Sequence, residues 1–346
     1  MSGAGSTAAL EALLERLSLE VTELYDFKDS FFCADAKDKE AKLSSRAQAI
    51  LASAAAVPVE ALPAAGKATV AYLQGRALDA ATSEYSSAAE DALSRAVRLN
   101  PGSAEAWAAL GHCPWKKNDL ASAVESFSCS LKRRPTALAL RSLSQLARLA
   151  LSSSGASAEP ADRAAAQLES IERAKAAVAL SMTDAASWAT LGLAHMFRAM
   201  DGTRDTEDLR KAKAAFAKAA QVEQAAGAAG AAGGAAGAGA GAASSRRNPD
   251  LHYNRGVVLS ALEEYEEASA CFLLAAEIDP SMKEASLVSR AACQDMACCM
   301  VPLTHPLSSA AAHPLSSPSH PLSLSLSLST PPLCRTSARA SRSAWP

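Results

Sequence analysis

Four polar residues stand where helix packing alone would not ask for them. Arg148 lies in a stretch otherwise lined by Leu143, Leu146 and Leu149. A guanidinium there is either a solvated side chain or a fork that grips a carboxylate through two parallel hydrogen bonds. Asp250 follows Asn248-Pro249 and precedes Leu251-His252-Tyr253-Asn254. It is either the N-cap of a helix or an acid turned to a ligand. Asn254 carries an amide with both donors and an acceptor, the chemistry that clamps an extended peptide backbone. Glu284 opens the stretch after Pro280, where the first-turn dipole of a helix favours an acid. All of this is binding chemistry. His112, His195 and His252 are dispersed, with no serine or cysteine motif beside them, and the chain has no nucleophile elbow or phosphate loop. Cys293, Cys298 and Cys299 cluster without zinc spacing, and no histidine stands at ligand distance in sequence. No metal, cofactor or catalytic residue is therefore expected. Lys132-Arg133-Arg134 closes a helical stretch, where cations complement the dipole or touch RNA.

The elements that must hold these residues repeat. Trp107, Leu110, Gly111, Ala123, Phe127 and Pro135 stand at the offsets of a tetratricopeptide repeat, a helix pair with a period of about 34 residues. The preceding unit ends at Pro101, a later one opens with Trp188, Leu191 and Gly192, and the last carries Gly256, Ala268, Phe272, Ala275 and Pro280. A single helix pair cannot bury its apolar face, so stacked pairs form one continuous core and a grooved superhelix. The spacing predicts an all-α tetratricopeptide-repeat solenoid over 65–290, preceded by a helical pair over 1–60. Its stripe is Leu10, Leu13, Leu14, Leu17, Val21, Leu24 and Tyr25. Pro114 occupies the consensus aromatic position and predicts a kink or an early end.

Residues 225–245 are nearly pure alanine and glycine and read as a flexible linker interrupting the stack. Residues 291–346, rich in Pro, Ser, Leu and Ala, sustain no helical or strand period and read as a disordered tail. The formal net charge of -2 gives no field for nucleic acid or an anionic membrane, and no run of apolar residues is long enough to span a bilayer. The isolated Cys33, Cys113, Cys129 and Cys271 read as small apolar residues of a reducing compartment.

Particular stretches resemble one family. They are Leu24-Tyr25-Asp26-Phe27-Lys28-Asp29-Ser30-Phe31-Phe32, Gly75-Arg76-Ala77-Leu78 followed by Tyr85-Ser86, Ala106-Trp107 through Trp115-Lys116-Lys117-Asn118-Asp119, and Asn248 through Arg255. Over about residues 20–285 the chain is similar to the tetratricopeptide repeat protein 5, or Strap, family of stress-responsive coactivators. The resemblance implies an adaptor with two roles. One is to bind the N-terminal peptide of nascent tubulin at the ribosome and trigger decay of tubulin messenger RNA, in the cytoplasm. The other is nuclear, as a cofactor of histone acetyltransferase complexes. It also implies that Arg148, Asp250 and Glu284 supply the arginine and two acids of the family's peptide groove. Family members continue into a C-terminal OB-fold domain. No such pattern follows residue 290 here, and the tail reads as translated non-coding sequence.

Overall fold

The computed structural model describes residues 3–33, 36–154, 159–203, 205–232 and 248–282, and all regular structure among them is helical. Within these residues twelve α-helices pair in chain order: α1 (Gly3–Ser30) with α2 (Ala36–Ala55), α3 (Ala64–Ala81) with α4 (Ser87–Leu99), α5 (Ala104–Lys116) with α6 (Leu120–Arg133), α7 (Ala137–Ser154) with α8 (Pro160–Leu180), α9 (Ala185–Arg198) with α10 (Thr206–Ala232), and α11 (Pro249–Ala261) with α12 (Tyr265–Ile278). From α3 onward hairpin partners make the most extensive contacts, whereas α1 and α2 each touch α3 more than they touch one another, and each hairpin packs on the next. The odd-numbered helices form the inner row. Each touches the next along the row, with the backbones of α5 and α7 approaching least closely. Trp115 of α5 fills that space in one apolar cluster with Leu143 and Leu146 of α7.

Local chemistry sets the helix starts. Ser86, Ser103, Asp119 and Asp184 cap α4, α5, α6 and α9 through side-chain acceptors for first-turn amides. Asn248 does the same for α11, accepting from Asp250 N and Leu251 N, with Pro249 at the first helical position. The cap is therefore Asn248, and Asp250 sits inside the first turn. Pro114 is buried within α5, which continues to Lys116. A proline so near the C-terminus disturbs few intrahelical bonds, and α5 keeps the 13 residues that α11 also has, so the early end expected from Pro114 does not occur.

What locks a hairpin is a glycine on its first helix meeting a large side chain on its second. A Cβ built on Gly111 would lie 2.9 Å from the Phe127 ring, one on Gly192 2.7 Å from Phe216, and one on Gly256 2.8 Å from Phe272. Gly75 meets Leu93 in the same way, at 2.5 Å. Phe127, Phe216 and Phe272 are buried as a consequence. Two tryptophans tie adjacent hairpins together. Trp107 Nε1 donates to Pro101 O at 3.0 Å, and Trp188 Nε1 donates to Met182 O at 2.9 Å.

The expected linker begins later than its composition suggests. Helix α10 runs on to Ala232, because alanine is the strongest helix former and tolerates interspersed glycines. The rest of that segment, 233–247, lies outside the described residues. So does the tail over 291–346. The stack is nonetheless continuous across the insert: Leu251 and Val258 of α11 join one core with Leu193 and Met196 of α9 and Phe216 and Ala219 of α10. After Arg198 the chain does not pass straight into a loop. A π-helical turn, Ala199–Thr203, follows α9, and Asp201 in it is held by Arg163 (3.0 Å) and Gln167 (2.5 Å) of α8.

Candidate functional site

Arg148 is on α7, while Asp250 and Asn254 are on α11, with α9 between these two helices in the inner row. Glu284 lies outside the described residues. Arg148 is not a solvated arginine. It is 1% exposed, and its Nη1 donates to the hydroxyls of Ser144 and Ser170, each at 2.9 Å. Burial disfavours the charged guanidinium and brings its pKa down to about 9. Asn254 is buried and spends an amide N–H on Asp250 O of its own helix, 2.7 Å away. Asp250 is buried in the first turn of α11. Burial holds the Lys39 ammonium of α2 below its ordinary range, against the opposing charge of Asp29.

A second polar cluster in the inner row had no signal in the sequence pattern. At the C-terminal ends of α1, α3 and α5, Lys116 Nζ lies 2.6 Å from Asp79 Oδ1 and also donates to Asp79 O (2.7 Å) and Thr82 O (3.0 Å). Tyr25 donates its hydroxyl to Arg76 O at 3.3 Å. Burial raises Asp79, but Lys116 and Lys28 outweigh it and hold the carboxyl below its ordinary range. Burial, with Lys116 as a like charge, pushes Lys28 down to about 7. His112 is stacked near Trp115 and edge-on to Phe127, and burial pushes it down to about 3. These residues come from three helices whose register only the superhelix fixes. Tyr25, Lys28, Arg76 and Lys116 all fall in the family-like stretches, but nothing in those stretches says that they meet.

Farther along, Asp208 of α10 bridges to α9. His195 Nδ1 lies 2.8 Å from one carboxylate oxygen, and Arg198 approaches both oxygens at 2.6 Å. Burial raises Asp208, and the hydrogen bonds from Arg198 and His195 more than reverse this. The arrangement is an ion-pair lock between two helices. Lys132-Arg133-Arg134 is largely consumed internally: Arg133 bonds Pro101 O and Cys129 O and covers the Trp107 ring, while Arg134 pairs with Glu105. Among the described residues no group of three metal-ligating side chains converges, and no helix is long and apolar enough to cross a membrane.

Glycine-locked helix pairs stacked with their first helices inward define a tetratricopeptide-repeat protein, and residues 249–282 match the tetratricopeptide repeat family. Its similarity in sequence is to tetratricopeptide repeat protein 5. The chain is 29% identical over 276 residues to that protein from Bos taurus and 31% identical over 273 residues to that from Mus musculus. These matches cover 80% and 79% of this chain but 57% and 56% of the relatives, so the chain spans little more than half their length. Among solved structures, the APC/C hetero-tetramer Cut9–Hcn1 superposes with a TM-score of 0.51 at 13% identity, over 80% of this chain and 42% of that one. TTC0263, a tetratricopeptide-repeat protein of Thermus thermophilus, gives a TM-score of 0.44 at 18% identity, over 60% of this chain and 90% of that one.

Proposed function

We propose that this chain is a peptide-binding adaptor that recognises the N-terminus of nascent tubulin at the ribosome and promotes decay of tubulin messenger RNA. The observation that carries the reading is the similarity to tetratricopeptide repeat protein 5 across four-fifths of the chain. A tetratricopeptide-repeat superhelix is a scaffold for protein contacts, and its extended inner face suits a peptide better than a reaction. Support also comes from charge. Arg148, a guanidinium on α7 of the inner row, is the group for an acidic residue of the peptide. Asp250, on the same inner row, and Glu284 are the acids for a basic residue and backbone amides of the peptide, and Asn254 is the positioning amide beside Asp250.

Titration of a ten-residue tubulin N-terminal peptide into the wild type and into Asp250→Asn and Glu284→Gln tests this. Removing one partner of a partly desolvated interfacial charge pair costs about 2–5 kcal/mol, so each variant should bind at least about thirtyfold more weakly. Melting curves serve as controls. Unchanged affinity in both variants, or no binding to the wild type, would sink the tubulin assignment.

A further inference from the structure

The third repeat hairpin is fastened differently from its neighbours. In α5–α6, α9–α10 and α11–α12 a glycine on the first helix receives a phenylalanine ring from the second. Between α7 and α8 the close approach is made by two buried serines. Ser144 Oγ donates to Ser170 O at 2.8 Å, Ser170 Oγ donates to Ser144 O at 2.9 Å, and the two hydroxyls are 3.0 Å apart. Arg148 Nη1 reaches both hydroxyls from one turn along. The polar character spreads along α7, which also buries Ser142 and Gln145, and onto α8, which buries Gln167. The apolar contribution of α8 to its cluster is Ile171 and Ala174, against Ala194 and Leu191 of the next hairpin.

We propose that the α7–α8 hairpin is the hinge of this solenoid, the unit at which its two halves part. In a stack of repeats, stability is a sum of each unit's own stability and its interfaces, so the molecule opens where those terms are weakest. Buried hydroxyls and a guanidinium regain their hydrogen bonds from water when a seam opens, whereas a phenylalanine lifted off a glycine regains nothing. The inner row is also slackest at this point, between the backbones of α5 and α7. Opening there widens the inner face between α5 and α9, whatever the protein binds.

Hydrogen exchange with mass-spectrometric readout on the full chain decides it. Amides of α7 and α8 should exchange at least about tenfold faster than those of α5–α6 and α9–α10, since local opening free energies differ between cooperative units. Equal or greater protection of α7–α8 overturns the proposal. Restoring the repeat pattern with Ser144→Gly, Ser170→Ala, Ala174→Phe and Arg148→Leu should slow exchange in α7–α8 to the level of its neighbours. If that variant folds and α7–α8 stays as labile, the polar seam is not the cause and the proposal falls. If it does not fold, the wild-type exchange rates alone settle whether α7–α8 opens first.

Discussion

His112 and Lys28 are a histidine and a lysine that the fold keeps from protonating normally, and the two act on stability over different pH ranges. The folded state lowers His112 from 6.5 to about 3, so below pH 6.5 the unfolded chain binds a proton that the folded one refuses. Stability is full above pH 6.5 and falls as the pH drops toward 3. At pH 5 the loss is about 2 kcal/mol, from roughly 1.4 kcal/mol per pH unit of unequal proton binding. For Lys28, lowered from 10.5 to about 7, stability instead rises as the pH climbs from 7 toward 10.5. Urea midpoints should therefore increase from pH 5 to 7 and again from 7 to 9. His112→Leu should flatten the first rise and Lys28→Met the second, and a flat wild-type profile would contradict both assignments. Neither residue was legible in the sequence as more than a dispersed histidine and part of a family-like motif. Their shifts come first from burial, which only the stack provides, and then from Asp79 on α3 and Lys116 on α5, the helix that also carries His112. Arg148 was legible as an anomaly among leucines, but not as a buried group, because its hydroxyl partner on α8 is 22 residues away.

At the scale of the element the sequence was far more transparent. Helix pairs, tryptophan anchors and glycine positions followed from spacing, since each reflects a local rule repeated in phase. Gly111 shows how tight the rule is: an added Cβ would stand 2.9 Å from Phe127 Cζ, at a ring that is fully buried. Gly111→Ala should destabilise the protein by about 1–3 kcal/mol, the usual range for overpacking, despite alanine's better helix propensity. Chemical denaturation would show it, and a gain in stability would mean that the hairpin lock is not packed as described. Where element-level reading erred, alanine was the reason. Composition alone marked 225–245 as a linker, yet an alanine-rich sequence continuing from a formed helix extends it, as α10 does to Ala232.

For the whole molecule, the insert after α10 does not divide the core. Leu251 and Val258 pack with Phe216 and Met196 as if the chain were continuous. A protease site engineered within 233–247 and then cleaved should leave α11–α12 bound to the rest through gel filtration. Separation of the two pieces would show that the apolar contact is too weak to hold without the covalent link. This continuity could not be read from sequence, because nothing in an Ala/Gly run says whether the elements on either side still touch. The inner face was legible in outline only: the repeat says which helices line it, while the tertiary structure decides which of their polar residues are already engaged.

The tryptophan tie between hairpins has one more implication. The indole N–H groups of Trp107 and Trp188 each fasten a hairpin to the carbonyl of the turn before it, six residues upstream, a bond that asks for no particular side chain there. That bond is indifferent to the identity of the preceding unit, although the Trp107 ring also packs against Ala71, Ala96 and Val97 of it. A chimaera that exchanges the α5–α6 and α9–α10 units should keep both indole bonds while losing the Lys116–Asp79 and Asp201–Arg163 contacts with the neighbouring units.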